Sequence, residues 1–153
     1  MESAVSRSAN YVLEELMAKY PAAVRLQFRN DPLSFHAQSG LVHDAAMTAA
    51  HEGHFREMAN YVFDRQKTVR EQDLIAFASR LGLDVEKLAA TIQNRKYTPR
   101  VDADLADGFQ RGVRGSPVIF VNGKQIDGVP RLQTLTEYVE SALAAKSGEV
   151  AKK

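Results

Sequence analysis

A chain of 153 residues, 44% hydrophobic and 25% charged, is long enough to bury the core of one compact domain without disulfides or a structural metal. Its formal net charge of +1, with Lys and Arg spread along the sequence, leaves no basic stripe for nucleic acid or an anionic membrane surface. It contains no cysteine, which excludes thiol–disulfide exchange, a thiolate nucleophile, iron–sulfur ligation and Cys-type zinc sites on these residues, because each needs sulfur.

The first predicted element is a helix. Val12, Leu13, Leu16, Met17 and Tyr20 recur at helical spacing, Pro21 follows where the helix must stop, and Ser3 and Ser6 stand at its mouth. VRLQF at 24–28 alternates Val24, Leu26 and Phe28 with Arg25 and Gln27, the period of a strand with one buried face. Asn30-Asp31-Pro32 then breaks regular structure. From Gly40 to Asn94 the pattern is helical throughout. Leu41, Ala45, Ala46, Ala49 and Ala50 make a small-residue stripe, Gly53 interrupts, and Phe55, Met58, Ala59, Val62 and Phe63 make a bulkier one.

Thr68 is placed to cap a third helix carrying Leu74, Phe77 and Leu81 and closed by Gly82, and Asp84 to cap a fourth with Val85, Leu88 and Ile92. A fifth follows Pro99, with Val101, Leu105 and Phe109 as its apolar stripe. PVIFV and KQID flank Asn122-Gly123, the dipeptide suited to a two-residue turn because both central residues need positive φ. Leu132, Leu135, Tyr138, Val139 and Leu143 mark a final helix that frays from about Ser147. The order predicts an α/β fold with a small sheet and a large helical insertion. Apolar runs such as 116–121 are too short to span a bilayer, and residues 1–20 lack a charged segment followed by an apolar one. The chain therefore reads as soluble and unexported, with its compartment unknown.

Several polar groupings read as unremarkable surface. His36, His43, His51 and His54 lie close in sequence, but His51-Glu52-Gly53-His54 is one residue short of a metal-binding H-E-x-x-H, and Gly53 ends the helix. Solvated histidines and no metal are expected. Glu14-Glu15 and Asp102, Asp104 and Asp107 read as water-facing helix charges. Arg111 and Arg114 are either solvated or placed to meet an anionic ligand or peptide carboxylate. Gly123 and Gly128 serve a turn and a strand exit, so nucleotide binding is unsupported, and Ser3 and Ser6 lack the G-x-S-x-G elbow of a serine hydrolase.

YVLEELMAKYPAAVRLQFRNDPLSFHAQS, GHFREMANYVF and LGLDVEKLAATIQNRKYTPRVDADLADGFQRGVRGSPVIFVNGKQIDG together resemble the DsbA-like branch of the thioredoxin family, over nearly the whole chain. That family carries a Cys-x-x-Cys at the start of its first helix, an inserted helical subdomain and a cis-proline before the closing hairpin. Ser3-Ala4-Val5-Ser6 occupies the Cys-x-x-Cys position, and Ser116-Pro117 the cis-proline position, after Val113, Arg114 and Gly115. The resemblance implies a thioredoxin-like domain over 1–146 with a helical insertion at about 40–112, while the Ala/Lys/Gly/Glu composition of 147–153 predicts a disordered tail and no cofactor is expected. It places Ser3 and Ser6 at the catalytic positions and Ser116, Pro117 and Arg114 at the substrate.

With the cysteine thiols absent, two roles for the serines stay open. Ser3 or Ser6 caps the helix, or its hydroxyl, aided by the helix dipole, orients a thiol. The leading functional reading is a non-redox module that binds an extended peptide or protein partner. The alternatives are a glutathione-dependent transferase or isomerase resembling the kappa class, or a cysteine-to-serine or truncated form of a thiol-disulfide oxidoreductase. The family's strand before this helix lies between the strands matching 24–28 and 117–121, yet Met1 and Glu2 alone precede Ser3. Three solutions follow: a fragment or truncated gene product, which the reading favours, a homodimer that covers an open sheet, or direct closure of the flanking strands.

Overall fold

The computed structural model describes Met1, residues 3–32 and residues 39–150, except the side chains of Lys67 and residues 146–150. Helix α1 spans Ala4–Lys19 and is started by Ser3, whose hydroxyl accepts a hydrogen bond from the Ser6 N–H at 3.3 Å. It ends at Tyr20, before Pro21.

Helices α2 (Ser39–His51) and α3 (Phe55–Arg65) follow, turned at Gly53 with φ +83°, which a residue with a Cβ adopts at a cost. A 3₁₀ turn (Gln66–Thr68) leads to α4 (Glu71–Arg80), then come α5 (Val85–Gln93) and α6 (Thr98–Gln110). Thr68 is not the cap of α4. Its hydroxyl donates to the Arg65 carbonyl, and α4 opens two residues later at Arg70, where the Asp73 carboxylate accepts the Arg70 N–H at 2.9 Å. Asp84 does cap α5, accepting from Lys87 N at 2.9 Å.

Strands β1 (Val118–Val121) and β2 (Lys124–Asp127) form an antiparallel hairpin, and Asn122 and Gly123 take the positive φ values of 47° and 88° that its turn requires. Helix α7 (Leu132–Val150) closes the chain. Its backbone is helical to Val150, and residues 151–153 of the tail expected at 147–153 lie outside the described residues. Among the described residues no helix is long and apolar enough to cross a membrane.

Residues 24–28 are not a strand. Their alternating pattern is present, but among the described residues the sheet holds β1 and β2 alone, and period-2 spacing makes a ladder only beside a partner. The expected stripe of α6 is also misplaced. Val101 is buried, but Leu105 and Phe109 are 39% and 64% exposed, and the other buried residue of the helix is Asp104.

Burial divides into two clusters. Val42, Met58, Val62, Val69, Leu74 and Leu88 anchor the larger one among α2–α5, with Met1 at its margin. Leu16, Leu135 and Val139 anchor the smaller one, where α1 and α7 pack with Val121 and Ile126 of the hairpin.

Candidate binding site

The start of α1 and the segment entering β1 meet at one cavity of about 590 Å³. Ser6, Ala9 and Leu13 line it from α1, residues 25–31 from one side, and residues 115–120 from the other. The flanking segments therefore do not close on each other, and direct closure is not how the chain solves the open sheet. The Ser116–Pro117 peptide is cis, and the Pro117 carbonyl accepts the Gly128 N–H at 3.0 Å.

The predicted site residues separate here. Ser6, Ser116 and Pro117 line the cavity together. The Ser6 and Ser116 hydroxyls make no hydrogen bond among the described residues, so both are available to a ligand. Ser3 does not line the cavity; its hydroxyl is engaged as the cap of α1. Arg114 is turned away. It donates to the Phe109 and Val113 carbonyls at 2.8 and 2.9 Å, lies over the Phe109 ring at 4.0 Å, and lines a second hollow with Leu105. Arg111 does reach the first cavity, held at 2.9 Å by Asp107.

The cavity's far wall depends on a residue read from sequence as solvated. Asp104 is 5% exposed and accepts from the Asn30 N–H at 3.1 Å, the Asn30 amide at 2.6 Å, Arg29 at 3.0 Å and Arg100 at 3.1 Å. Burial alone would raise its pKa, but the Asn30 and Arg29 hydrogen bonds and the Arg100 charge outweigh it and hold the carboxyl below the usual range. One carboxylate thus fastens residues 29–30 to α6. Its signal in the sequence is weak but present, since Val101, Asp104 and Gly108 share a helical face.

One histidine needs correction, while His51 is exposed as expected. His43 is 1% exposed and lines the cavity from α2, where the helix faces the larger core. Next to it, buried Asp44 accepts from the Tyr97 N–H at 3.0 Å and faces Arg95 at 3.4 Å. Burial raises the Asp44 pKa despite both partners. His51 stacks on Tyr97 at 5.6 Å, His54 lies 3.5 Å from Glu57, and His36 lies outside the described residues. Among the described residues no three His, Asp or Glu side chains converge as metal ligands would.

A family model described as a DSBA-like thioredoxin domain matches residues 3–140 of the chain. The chain belongs to this family. Its fold is the family's thioredoxin-like one, mostly helical with a small two-stranded sheet. A thioredoxin-like oxidoreductase from Silicibacter pomeroyi superposes with a TM-score of 0.78 at 22% identity, covering 94% of this chain and 82% of that one. The thiol-disulfide exchange protein alpha-DsbA2 from Wolbachia pipientis gives 0.75 at 15% identity, covering 89% and 74%. Among curated proteins, the Na(+)/H(+) antiporter NhaA of Herminiimonas arsenicoxydans is 30% identical over 84% of this chain. NhaA 3 of Salinispora tropica is 31% identical over 90%. The chain spans about a fifth of the length of these two relatives, 20% and 21%.

Proposed function

We propose that this chain is a non-redox member of its family that binds extended polypeptide at the cavity mouth between Ser6 and Ser116-Pro117. With no cysteine in these residues, they have no thiol to donate or accept electrons, so thiol exchange cannot be their chemistry. What supports binding is that Ser6, on the first turn of α1, and the Ser116-Pro117 segment line one cavity, with both hydroxyls uncommitted. DsbA-like domains generally bind protein substrates, and an exposed backbone beside a helix start suits an extended chain. Ser3 supports the site from behind as the cap that orders the helix start.

A thiol-blocked unfolded polypeptide titrated into the protein by calorimetry should give saturable heat. Ser116→Trp, which fills the mouth, should abolish it while the far-ultraviolet circular dichroism stays unchanged. Equal binding by variant and parent contradicts the proposal. The uncommitted Ser6 hydroxyl also fits the thiol-orienting reading. Retention on immobilised glutathione, lost in Ser6→Ala, would favour that reading instead. Insulin reduction by a Ser3→Cys, Ser6→Cys variant would show that the remaining site is still that of a thiol-disulfide oxidoreductase.

A further inference from the structure

Tyr61 stands about 200° round α3 from Phe63, which lines the cavity, and on that other face two arginines are held by aromatic rings instead of carboxylates. Tyr61 and Phe77 of α4 stack with their ring centres 4.0 Å apart. Arg65, one turn after Tyr61, lies with its guanidinium carbon 3.7 Å from the centre of the Tyr61 ring, the contact of a planar cation laid on a ring face. Arg80, one turn after Phe77, is 5.3 Å from Phe77 and 6.0 Å from Tyr61, so it spans the pair. Both arginines are exposed, and both rings are half-buried.

Two features bring the arginines to this place. Gln66, with a φ of 47° that a residue with a Cβ adopts at a cost, turns the chain out of α3 toward α4. Arg65 and Arg80 each occupy the last turn of their helix, where a cation offsets the carbonyl end. That role uses their charge and none of their N–H donors. Among the described residues neither guanidinium makes a hydrogen bond or an ion pair, whereas Arg29, Arg56, Arg95, Arg100 and Arg111 each meet a carboxylate. The acids closest along the two helices are engaged elsewhere. Asp64 accepts the Tyr11 hydroxyl at 2.7 Å, Asp73 the Arg70 N–H at 2.9 Å, and Asp84 the Lys87 N–H at 2.9 Å.

We infer that Arg65 and Arg80 together dock an acidic segment of a partner polypeptide, through two carboxylates that each take one guanidinium in a two-pronged hydrogen bond. Acidic side chains at alternate positions of an extended chain lie about 6.6 Å apart, and two guanidiniums that both stand within 6.0 Å of one ring centre are in reach of such a pair. Charge complementarity favours such a segment over nucleic acid. The site offers two cations with Asp64 and Asp73 one turn from its rings, and those acids repel a continuous run of phosphates. The rings hold the guanidiniums before the partner arrives, which lowers the ordering cost of binding. This surface is separate from the serine mouth, and the inference does not rest on that reading.

The probe is the acetylated, amidated pentapeptide Gly-Glu-Ser-Glu-Gly, with Gly-Gln-Ser-Gln-Gly as its control. Each is titrated into the full chain at low salt while the arginine Nε–H signals are followed by NMR. The acidic peptide should shift Arg65 and Arg80 saturably and together, and the control should not. Arg65→Gln and Arg80→Gln, both exposed changes, should each weaken binding by about fivefold, and Ser116→Trp should leave it unchanged. Loss of binding in Ser116→Trp would place the peptide at the mouth and overturn the docking site. Equal shifts at Arg131, which is exposed and also lacks an ion pair among the described residues, would overturn it as charge attraction without a site. No saturable shift would overturn it too. So would saturation by pyrophosphate without saturation by the peptide, since the site would then be one for phosphate.

Discussion

Between Ser39 and Gln93 four helices close on Val42, Met58, Val62 and Leu74, all 0% exposed, whereas the half built from α1, α7 and the hairpin anchors on Leu16, Leu135 and Val139 and then opens into a slot. Hydrogen bonding explains the difference. A helix satisfies its interior N–H and C=O groups within itself, so a block of helices needs from its neighbours only side-chain packing. A strand satisfies half of its groups on each side, so β1, with one partner among the described residues, is half complete whatever its side chains do. Residues 24–28 show the same rule from the other wall, having a strand's pattern without a strand's ladder.

The sharpest way to break this contrast is inside the closed block. Leu88 is 1% exposed, and Leu88→Ala should destabilise the fold by about 2–5 kcal/mol in urea titration, because tightly packed neighbours cannot collapse into the space. Next comes the seam between the halves. Asp104→Ala leaves buried Asn30 without its acceptor, while Arg29 and Arg100, each 49% exposed at the side chain, can return to water. About 1–3 kcal/mol is expected, together with loosening of residues 29–30 in amide exchange.

The same residue gives the acid dependence a sign. With its folded pKa lowered, Asp104 contributes stability that is complete above the ordinary carboxyl value of about 3.9 and is lost as pH falls through the folded value. Asp44, raised by burial, acts oppositely, since its ionisation lowers stability as pH rises through its folded pKa. Asp104→Asn should therefore flatten the loss of stability below about pH 4, measured as the urea midpoint against pH.

Smaller effects lie at the start of α1. Ser3→Ala removes the acceptor for the Ser6 N–H and should cost about 0.5–2 kcal/mol, with Ser3→Asp restoring most of it. Smallest is the ion pair between Glu14 of α1 and Arg56 of α3, which joins the halves across an exposed surface. A double-mutant cycle should assign it about 0.2–1 kcal/mol, falling with added salt.

What was legible in the sequence was local. The caps at Ser3 and Asp84, the turn at Asn122-Gly123 and the helix stop before Pro21 each depend on residues within a few positions, and each lies where expected. What was not legible depends on distant partners. Asp104 looks like any surface carboxylate until Asn30, far away in sequence, is folded against it, and Leu105 and Phe109 look like core until that burial turns them outward. His43 was read as solvated for the same reason, since burial of α2 is set by its neighbours. At the site, residue type marked Ser6 and Ser116-Pro117 as one cavity's lining by way of family resemblance. That Arg114 would fold back over Phe109 had no local signal.

The central claim is that, among the described residues, a closed helical block lies beside a hairpin whose β1 strand has β2 as its one partner. Residue-resolved native-state amide exchange on the chain alone tests it most directly. The amides of Val42, Ala46, Ala49 and Leu88 should exchange with nearly the full free energy of unfolding, and those of residues 25–28, Val118 and Phe120 within a small fraction of it. Equal protection of the two sets would contradict the account.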